Sequence, residues 1–423
     1  MVAVIWGRGD GLGGDVVDQP ATLKRSLGLP LLTFYGLGTI VGGGFYALVG
    51  KVAVEAGMLT PLAFLAASLI AMFSAFSYAE LSARYPYSAG EAHYALVAFR
   101  RLWPSAIVGW AVIATGVVSA ATLADALAGF VRTLVDVPEW LVVCAMLTGL
   151  GLIAVWGIGE SAWLALVITV VELGGLVVVM IAGADSLPTL GERWRELTPG
   201  LSLSAWSGVL LGAHLAFYSF IGFEDLVNVA EEVKRPSRNL PIAILASLAL
   251  TSLLYVVVST CLVLSVEQSD LHASGSPLAL VFGEGSRLGA AITVVGMLSG
   301  LNGALVQIVM ASRVAYGMAR QGQAPRWLSW VSPSRRTPLP ATIAITLVAL
   351  VLALWLPIVA LAKATSTILL LVYAVVNVSL IVIRLGPDRE AGTGPRYPLV
   401  IPIIGAATCL GFVVFQAVML LAA

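Results

Sequence analysis

The chain has 423 residues, of which 59% are apolar and 11% charged, against about 45 to 50% and about 25% in ordinary soluble domains. That excludes a water-soluble globular enzyme. Twenty-three Lys and Arg balance 23 Asp and Glu, so neither net charge nor a basic stripe argues for nucleic acid.

Residues 1 to 28 are polar and Gly-rich and read as a cytoplasmic tail, with no cleavable signal expected. Gly9, Gly11 and Gly14 satisfy G-x-G-x-x-G, but no strand precedes them, so they belong to that tail and not to a dinucleotide site. Eleven apolar segments follow, each near the roughly 20 residues that a bilayer core of about 30 Å demands of a helix. They cover 29–52, 61–84, 104–131, 139–158, 162–184, 205–230, 240–265, 288–319, 339–356, 358–384 and 400–421. Of the 23 Lys and Arg, all but Lys51, Arg132, Arg193, Arg195, Arg287 and Lys363 fall on the side of the N-terminus. That asymmetry predicts a multi-pass protein of the cell (inner) membrane with its N-terminus in the cytoplasm.

Cys144, Cys261 and Cys409 each sit inside an apolar run and are expected to be free, buried thiols. His93, His214 and His272 are scattered, so neither a metal nor another cofactor is expected.

Most of the 43 glycines have an ordinary explanation in close helix packing. Two clusters resist it. Gly36, Gly38, Gly42, Gly43 and Gly44 fall within nine positions of the first span, each costing about 1 kcal/mol of helix propensity relative to Ala. The sixth span has its own weak point at Tyr218-Ser219-Phe220-Ile221-Gly222-Phe223, followed by Glu224 and Asp225. Each break opens a set of five spans, and paired interruptions in corresponding helices point to an inverted-repeat transporter with a site at mid-membrane.

Irregular backbone at membrane depth is tolerable only where it is buried or lines a cavity, so broken helices imply a site. The amides of Gly43, Gly44 and Phe45, at the positive end of a helix starting there, favour a carboxylate. Gly42 lets a ligand touch the backbone, and carbonyls left over at Ile40, Tyr218 and Ile221 accept from an ammonium. Donors for an anion beside acceptors for a cation match an amino acid zwitterion.

The run Gly36-Leu37-Gly38-Thr39-Ile40-Val41-Gly42-Gly43-Gly44-Phe45 resembles the glycine signature of the amino acid-polyamine-organocation superfamily of permeases. Tyr78-Ala79-Glu80-Leu81-Ser82-Ala83-Arg84-Tyr85-Pro86, the stretch from Phe220 to Pro241 and the stretch from Ser312 to Gly322 are similar to its later landmarks, in the same order. The resemblance implies an all-α, LeuT-type fold of 5+5 inverted repeats with discontinuous helices 1 and 6. Residues 29–184 would form the first repeat, 205–384 the second, and 400–421 a peripheral span. It also implies a substrate site at Ile40, Gly42, Gly43, Gly44, Phe45, Tyr218, Ser219, Ile221 and Gly222. Tyr218 matches an aromatic that covers the substrate in some members; simple packing is the competing reading. Gly43 replaces a usual small hydroxyl or Ala, Phe45-Tyr46 replaces the common Ile-Phe, and a twelfth span is missing, which leaves any oligomeric interface unread.

Charge inside a bilayer costs about 2.5 to 3.5 kcal/mol at a helix centre. Glu80 and Arg84 close span 2, where pairing suffices, and Asp125 lies in the outer part of span 3. Glu172 sits mid-way along span 5 with no partner nearby in sequence. Protonating an ordinary carboxyl at pH 7 costs about 3.7 kcal/mol, close to the penalty for leaving it charged. Glu172 is therefore a candidate proton carrier, against a hydrogen-bonding role in the scaffold. Glu224, at the start of the inner half of span 6, is a second candidate, against helix capping. Asn302, Ser299 and Gly303 in span 8 offer oxygens near span 1, but no acid adjoins them in sequence, so sodium dependence is not expected.

These features predict a secondary active transporter of amino acids or related amines, proton-coupled, whose partners are the substrate, protons and the bilayer. A proton-independent exchanger is the main alternative, and a substrate-sensing receptor or a membrane enzyme fits less well.

Overall fold

A computed structural model describes residue 25 and residues 27–87, 90–156, 162–200, 202–283, 285–333, 337–386 and 394–422. The Gly9–Gly14 motif lies outside them. The architecture is all helical: among the described residues the one β-feature is an isolated parallel bridge between Leu27 and Val233.

The first span is two helices, α1 (Leu29–Val41) and α2 (Gly44–Ala56), and α3 (Thr60–Arg84) is the second. A short helix absent from the sequence reading, α4 (Gly90–Phe99), precedes α5 (Leu102–Arg132), α6 (Glu139–Trp156) and α7 (Ala162–Gly183), which are spans three to five. After a connector containing α8 (Leu190–Arg193), span six comprises α9 (Leu203–Phe217) and a single turn, α10 (Asp225–Asn228). Then come α11 (Pro236–Ser265), connector α12 (Gln268–Ala273), α13 (Arg287–Arg320), α14 (Leu339–Trp355), α15 (Ile358–Leu385) and α16 (Val400–Ala422). Nine helical stretches among the described residues are long and apolar enough to cross a membrane, and Leu29–Val41 and Leu339–Trp355 are shorter apolar helices.

The element boundaries follow from local chemistry. Proline stands at the first or second position of α1, α3, α11 and α14, where its missing N–H would be unpaired in any case. Gly57, with φ +58°, ends α2 in the left-handed region that an L side chain avoids. Large apolar side chains such as Leu152, Trp156, Ile181, Trp355 and Val414 remain exposed on the flanks, as expected of a surface solvated by lipid.

Inside, α5 runs against α13 and α11 against α3, while α1 lies between α11 and α7. The first and sixth spans are thus enclosed by the long helices. The end of the bundle where the chain enters α1 is tied by Glu80, whose carboxylate accepts from Arg84 at 2.5 Å, from Arg384 at 3.0 Å and from the Tyr397 amide at 3.0 Å. Pairing of Glu80 with Arg84, read from their spacing, is therefore present and is extended by α15. Cys261 and Cys409 are free and buried, but Cys144 is only half-buried because it lies on the partly exposed α6.

Candidate functional site

The break in the first span has a definite geometry. α1 stops at Val41, Gly42 is extended (ψ 175°), and α2 starts at Gly44. In the sixth span α9 gives way to a tight turn at Tyr218–Phe220, then to extended Ile221 and to Gly222 at φ +126°. The two irregular stretches touch. The Thr39 hydroxyl donates to the Gly222 carbonyl at 2.9 Å, and a Cβ at Gly222 would stand 2.4 Å from the Thr39 carbonyl oxygen. Only glycine fits there, for φ and for space.

The amides of Gly44 and Phe45 open α2, where helix geometry supplies no carbonyl one turn earlier. Directly beside them, the Tyr218 ring lies 3.1 Å from the position of a Cβ on Gly44. The Tyr218 hydroxyl shares a 2.8 Å hydrogen bond with Ser119 of α5, which holds the ring over the break. Ser219 is buried at the same place, and its hydroxyl has no partner among the described residues.

Two of the carbonyls expected to be left over are engaged, and one glycine has a packing role besides any contact with a ligand. The Ile40 carbonyl is not left over, because the Tyr255 hydroxyl of α11 donates to it at 3.0 Å. The Tyr218 carbonyl accepts from the Ile221 amide at 3.3 Å within the turn. Gly43 abuts Gly300 of α13, where a Cβ would meet the Gly300 Cα at 2.6 Å, so close packing accounts for this glycine independently of any ligand. Gly36 and Gly38 likewise pack on Leu226 and Thr169.

Tyr255 escaped the sequence reading. Its ring stacks on Phe45 with centroids 4.0 Å apart and 7° between planes, so one side chain caps the end of α1 and packs the start of α2. Nothing in Leu254-Tyr255-Val256 sets it apart from any aromatic in an apolar helix.

Glu172 on α7 is fully buried, one layer behind this break. Its carboxyl faces the Ser299 hydroxyl of α13, close enough to interact, although the two do not meet in well-formed hydrogen-bond geometry and neither has another partner among the described residues. The structure therefore brings together an acid and a hydroxyl that are far apart in sequence. The Tyr46 hydroxyl of α2 donates to the Glu172 backbone carbonyl at 2.6 Å, linking this residue to the first span.

With both breaks closed around one point, comparison with known proteins is informative. The amino acid permease family model matches residues 27–422. The chain belongs to the amino acid permease family. It is 30% identical over 394 residues to the Arabidopsis thaliana protein "Cationic amino acid transporter 4, vacuolar", covering 88% of this chain and 65% of that one. It is 28% identical over 404 residues to human "Cationic amino acid transporter 4", covering 89% and 63%. To the Bacillus subtilis "Branched-chain amino acid permease BcaP" it is 28% identical over 418 residues, covering 92% and 87%. The chain thus spans less than two thirds of the length of the two cationic transporters. These relatives are permeases and transporters, not enzymes, and the superfamily resemblance seen in the motifs holds across the permease match.

The second acid singled out, Glu224, precedes α10 and makes no side-chain cap to it. Its Oε2 instead accepts from the Gly222 amide at 2.9 Å and from the Tyr373 hydroxyl of α15 at 2.7 Å, which fixes the sixth-span break from behind. Asp225 is buried next to it. A third acid, Glu91 of α4, is buried on the same side and accepts from the Tyr78 hydroxyl at 3.2 Å. Glu91 was missed because nothing in its local pattern places α4 against the bundle. Among the described residues, no three His, Cys, Asp or Glu converge as metal ligands.

Proposed function

We propose that this chain is a secondary active transporter of amino acids or closely related amines, working by alternating access between two inverted repeats and coupled to protons through Glu172. The observation that carries the reading is the meeting of the two breaks: the helix-start amides of Gly44 and Phe45 lie beside the unpartnered Ser219 hydroxyl under the Tyr218 ring. Amides at a positive helix end stabilise a carboxylate. Ile221, Gly222 and Ser219 line the opposite wall, where the Ser219 hydroxyl can accept from an amine.

On this reading Ile40, Gly42 and Gly43 shape the backbone around the substrate, with Ile40 and Gly43 also serving structural contacts. The names of the relatives support cationic and branched-chain amino acids as substrates to try first. A buried carboxyl at Glu172, facing only the Ser299 hydroxyl among the described residues, supports proton coupling, since a neutral acid is tolerated in such a setting and a hydrated one ionises. The positive-inside bias supports an N-terminus in the cytoplasm.

The test is a thermal-shift screen of purified protein against the twenty amino acids and common amines, followed by uptake of the best ligand into proteoliposomes. Stabilisation by an amino acid and saturable uptake are expected. Absence of both would sink the transporter reading.

A further inference from the structure

At the end of the bundle where the chain enters α1, an open cleft of about 450 Å³ lies between the start of α11 and the segment leading into α16. Its α11 wall carries Arg238, Pro241, Ile242 and Leu245, and its opposite wall Gly394 and Tyr397. A Cβ at Gly394 would stand 2.5 Å from the Ala83 Cβ of α3 and 3.6 Å from the Ser237 carbonyl, so this segment is wedged between α3 and α11. The four α11 residues follow helical spacing and form one stripe. With 30 residues, α11 is about 45 Å long, roughly 15 Å more than a bilayer core. Its first turn therefore reaches headgroup level, and the stripe runs from a cation there to apolar side chains about 10 Å deeper. Ile242 is exposed and Leu245 half-buried on that path.

The charge around the cleft is one-sided. Arg238 is exposed and has no ion-pair partner among the described residues. No Asp or Glu among the described residues lines the cleft, and none stands in the first turn of α11. Tyr397 separates the cleft from the Glu80 cluster, since its amide donates to Glu80 and its carbonyl accepts from Arg384. In that cluster one carboxylate is shared by two guanidinium groups, and Arg84 Nη1 is buried without a partner. An excess of cation thus borders a space with an apolar floor at the membrane surface. A soluble anion would answer the charge and leave the apolar stripe bare. A zwitterionic headgroup would bring a second cation with no carboxylate in the cleft to receive it. An anionic phospholipid answers both features.

We propose that this cleft binds one anionic phospholipid, its phosphate against Arg238 and the upper part of its chains along Pro241, Ile242 and Leu245. A guanidinium fork matches two phosphate oxygens at once, which a zwitterionic neighbour cannot offer without its own cation alongside. The hydroxyls of Ser237 and Tyr397, both on lining residues, supply further donors to the headgroup. The occupant would join α11, the lead into α16 and, through Gly394, α3, elements that lie far apart in the chain. This assignment is independent of which substrate is carried and of how transport is driven.

The experiment adds phosphatidylglycerol, phosphatidylcholine with the same acyl chains, or inorganic phosphate to the full chain purified in detergent. It reads the melting temperature and, by native mass spectrometry, the lipid retained. Phosphatidylglycerol should raise the melting temperature above the value in phosphatidylcholine and be retained as a single tight copy. Arg238→Gln should weaken its apparent affinity by about fivefold and bring the two lipids level. Arg326→Gln, at an exposed arginine outside the cleft, should leave the preference intact. Ile242→Trp narrows the same cleft from an exposed position and serves as the second variant if Arg238→Gln fails to fold, with loss of retention expected. Equal effects of the two lipids on wild type, a preference that survives Arg238→Gln and Ile242→Trp, or an equal loss in Arg326→Gln overturns the proposal. Protection by inorganic phosphate that matches phosphatidylglycerol overturns the lipid as occupant and leaves a site for a free anion.

Discussion

A methyl group on Gly44 would stand 3.1 Å from the ring of Tyr218. This contact joins the two broken spans at the point where helix-start amides are free to meet an anion, and it gives the substrate-site reading a test in which the nearest group to yield is a side chain, not backbone. Gly43 is a poor choice for that test, because its Cβ would strike the Gly300 backbone.

Gly44→Val should push Tyr218 aside and screen the Gly44 and Phe45 amides. Charge-assisted hydrogen bonds contribute about 1.5 to 3 kcal/mol each, so substrate binding is expected to weaken by about 10- to 100-fold or more. Decarboxylated amines should lose a similar factor against their parent amino acids in wild-type protein. Isothermal titration of the purified variant checks both, and an amine that binds as well as its parent removes the carboxylate from this site.

Tyr218 gives a second, graded test. Tyr218→Phe loses only the hydroxyl contact to Ser119 and should weaken binding by up to about tenfold, in line with a single neutral hydrogen bond. Tyr218→Ala also removes the ring over Gly44 and should weaken it further. Equal losses would assign the effect to the hydroxyl, and no loss in either variant would return Tyr218 to packing.

The first break was legible because glycine is dense there, and such a run in an apolar span has few structural explanations; the second showed as Gly222 followed at once by Glu224 and Asp225 in an otherwise apolar span. Gly222 sits at the break itself, with its positive φ against Thr39. Partners supplied from afar were not legible. Tyr255 reaches the Ile40 carbonyl from 215 positions away, and the acid missing beside Ser299 arrives from another helix as Glu172. Periodicity reports which face of a helix is apolar, and in lipid almost every face is, so it carries little about which helix meets which. The helix α4 was hidden for a related reason: at ten residues it is too short to be read as a span, although its first turn brings Glu91 to the bundle.

Burial, aided by the neighbouring charge of Glu224, raises the Glu91 carboxyl from its ordinary range to about 7. Below that value it is mostly neutral and above it mostly charged. A carboxyl raised in the folded state resists ionisation there, so the ligand-free protein should lose stability as pH climbs from the unfolded value of about 4.5 through 7. Melting temperatures of wild type and Glu91→Gln across this range measure it, and parallel curves would mean that Glu91 does not titrate there.

The proton-coupling proposal turns on Glu172, and its setting makes the prediction sharp. Both carboxyl oxygens are buried and face the Ser299 hydroxyl without a well-formed hydrogen bond, and neither group has another partner among the described residues. The Tyr46 hydroxyl fastens the same residue's backbone to α2, so movement of the first span relative to α13 would alter the hydration of this carboxyl. Hydration favours the charged form and enclosure the neutral one, which lets a proton be loaded in one state and released in the other. Glu172→Gln imitates the neutral acid in shape and cannot titrate. It should retain substrate binding and counterflow exchange in proteoliposomes, while losing accumulation driven by an inward proton gradient. If wild-type uptake ignores the gradient, or the Gln variant still concentrates substrate against it, Glu172 is part of the scaffold and proton-independent exchange becomes the mechanism.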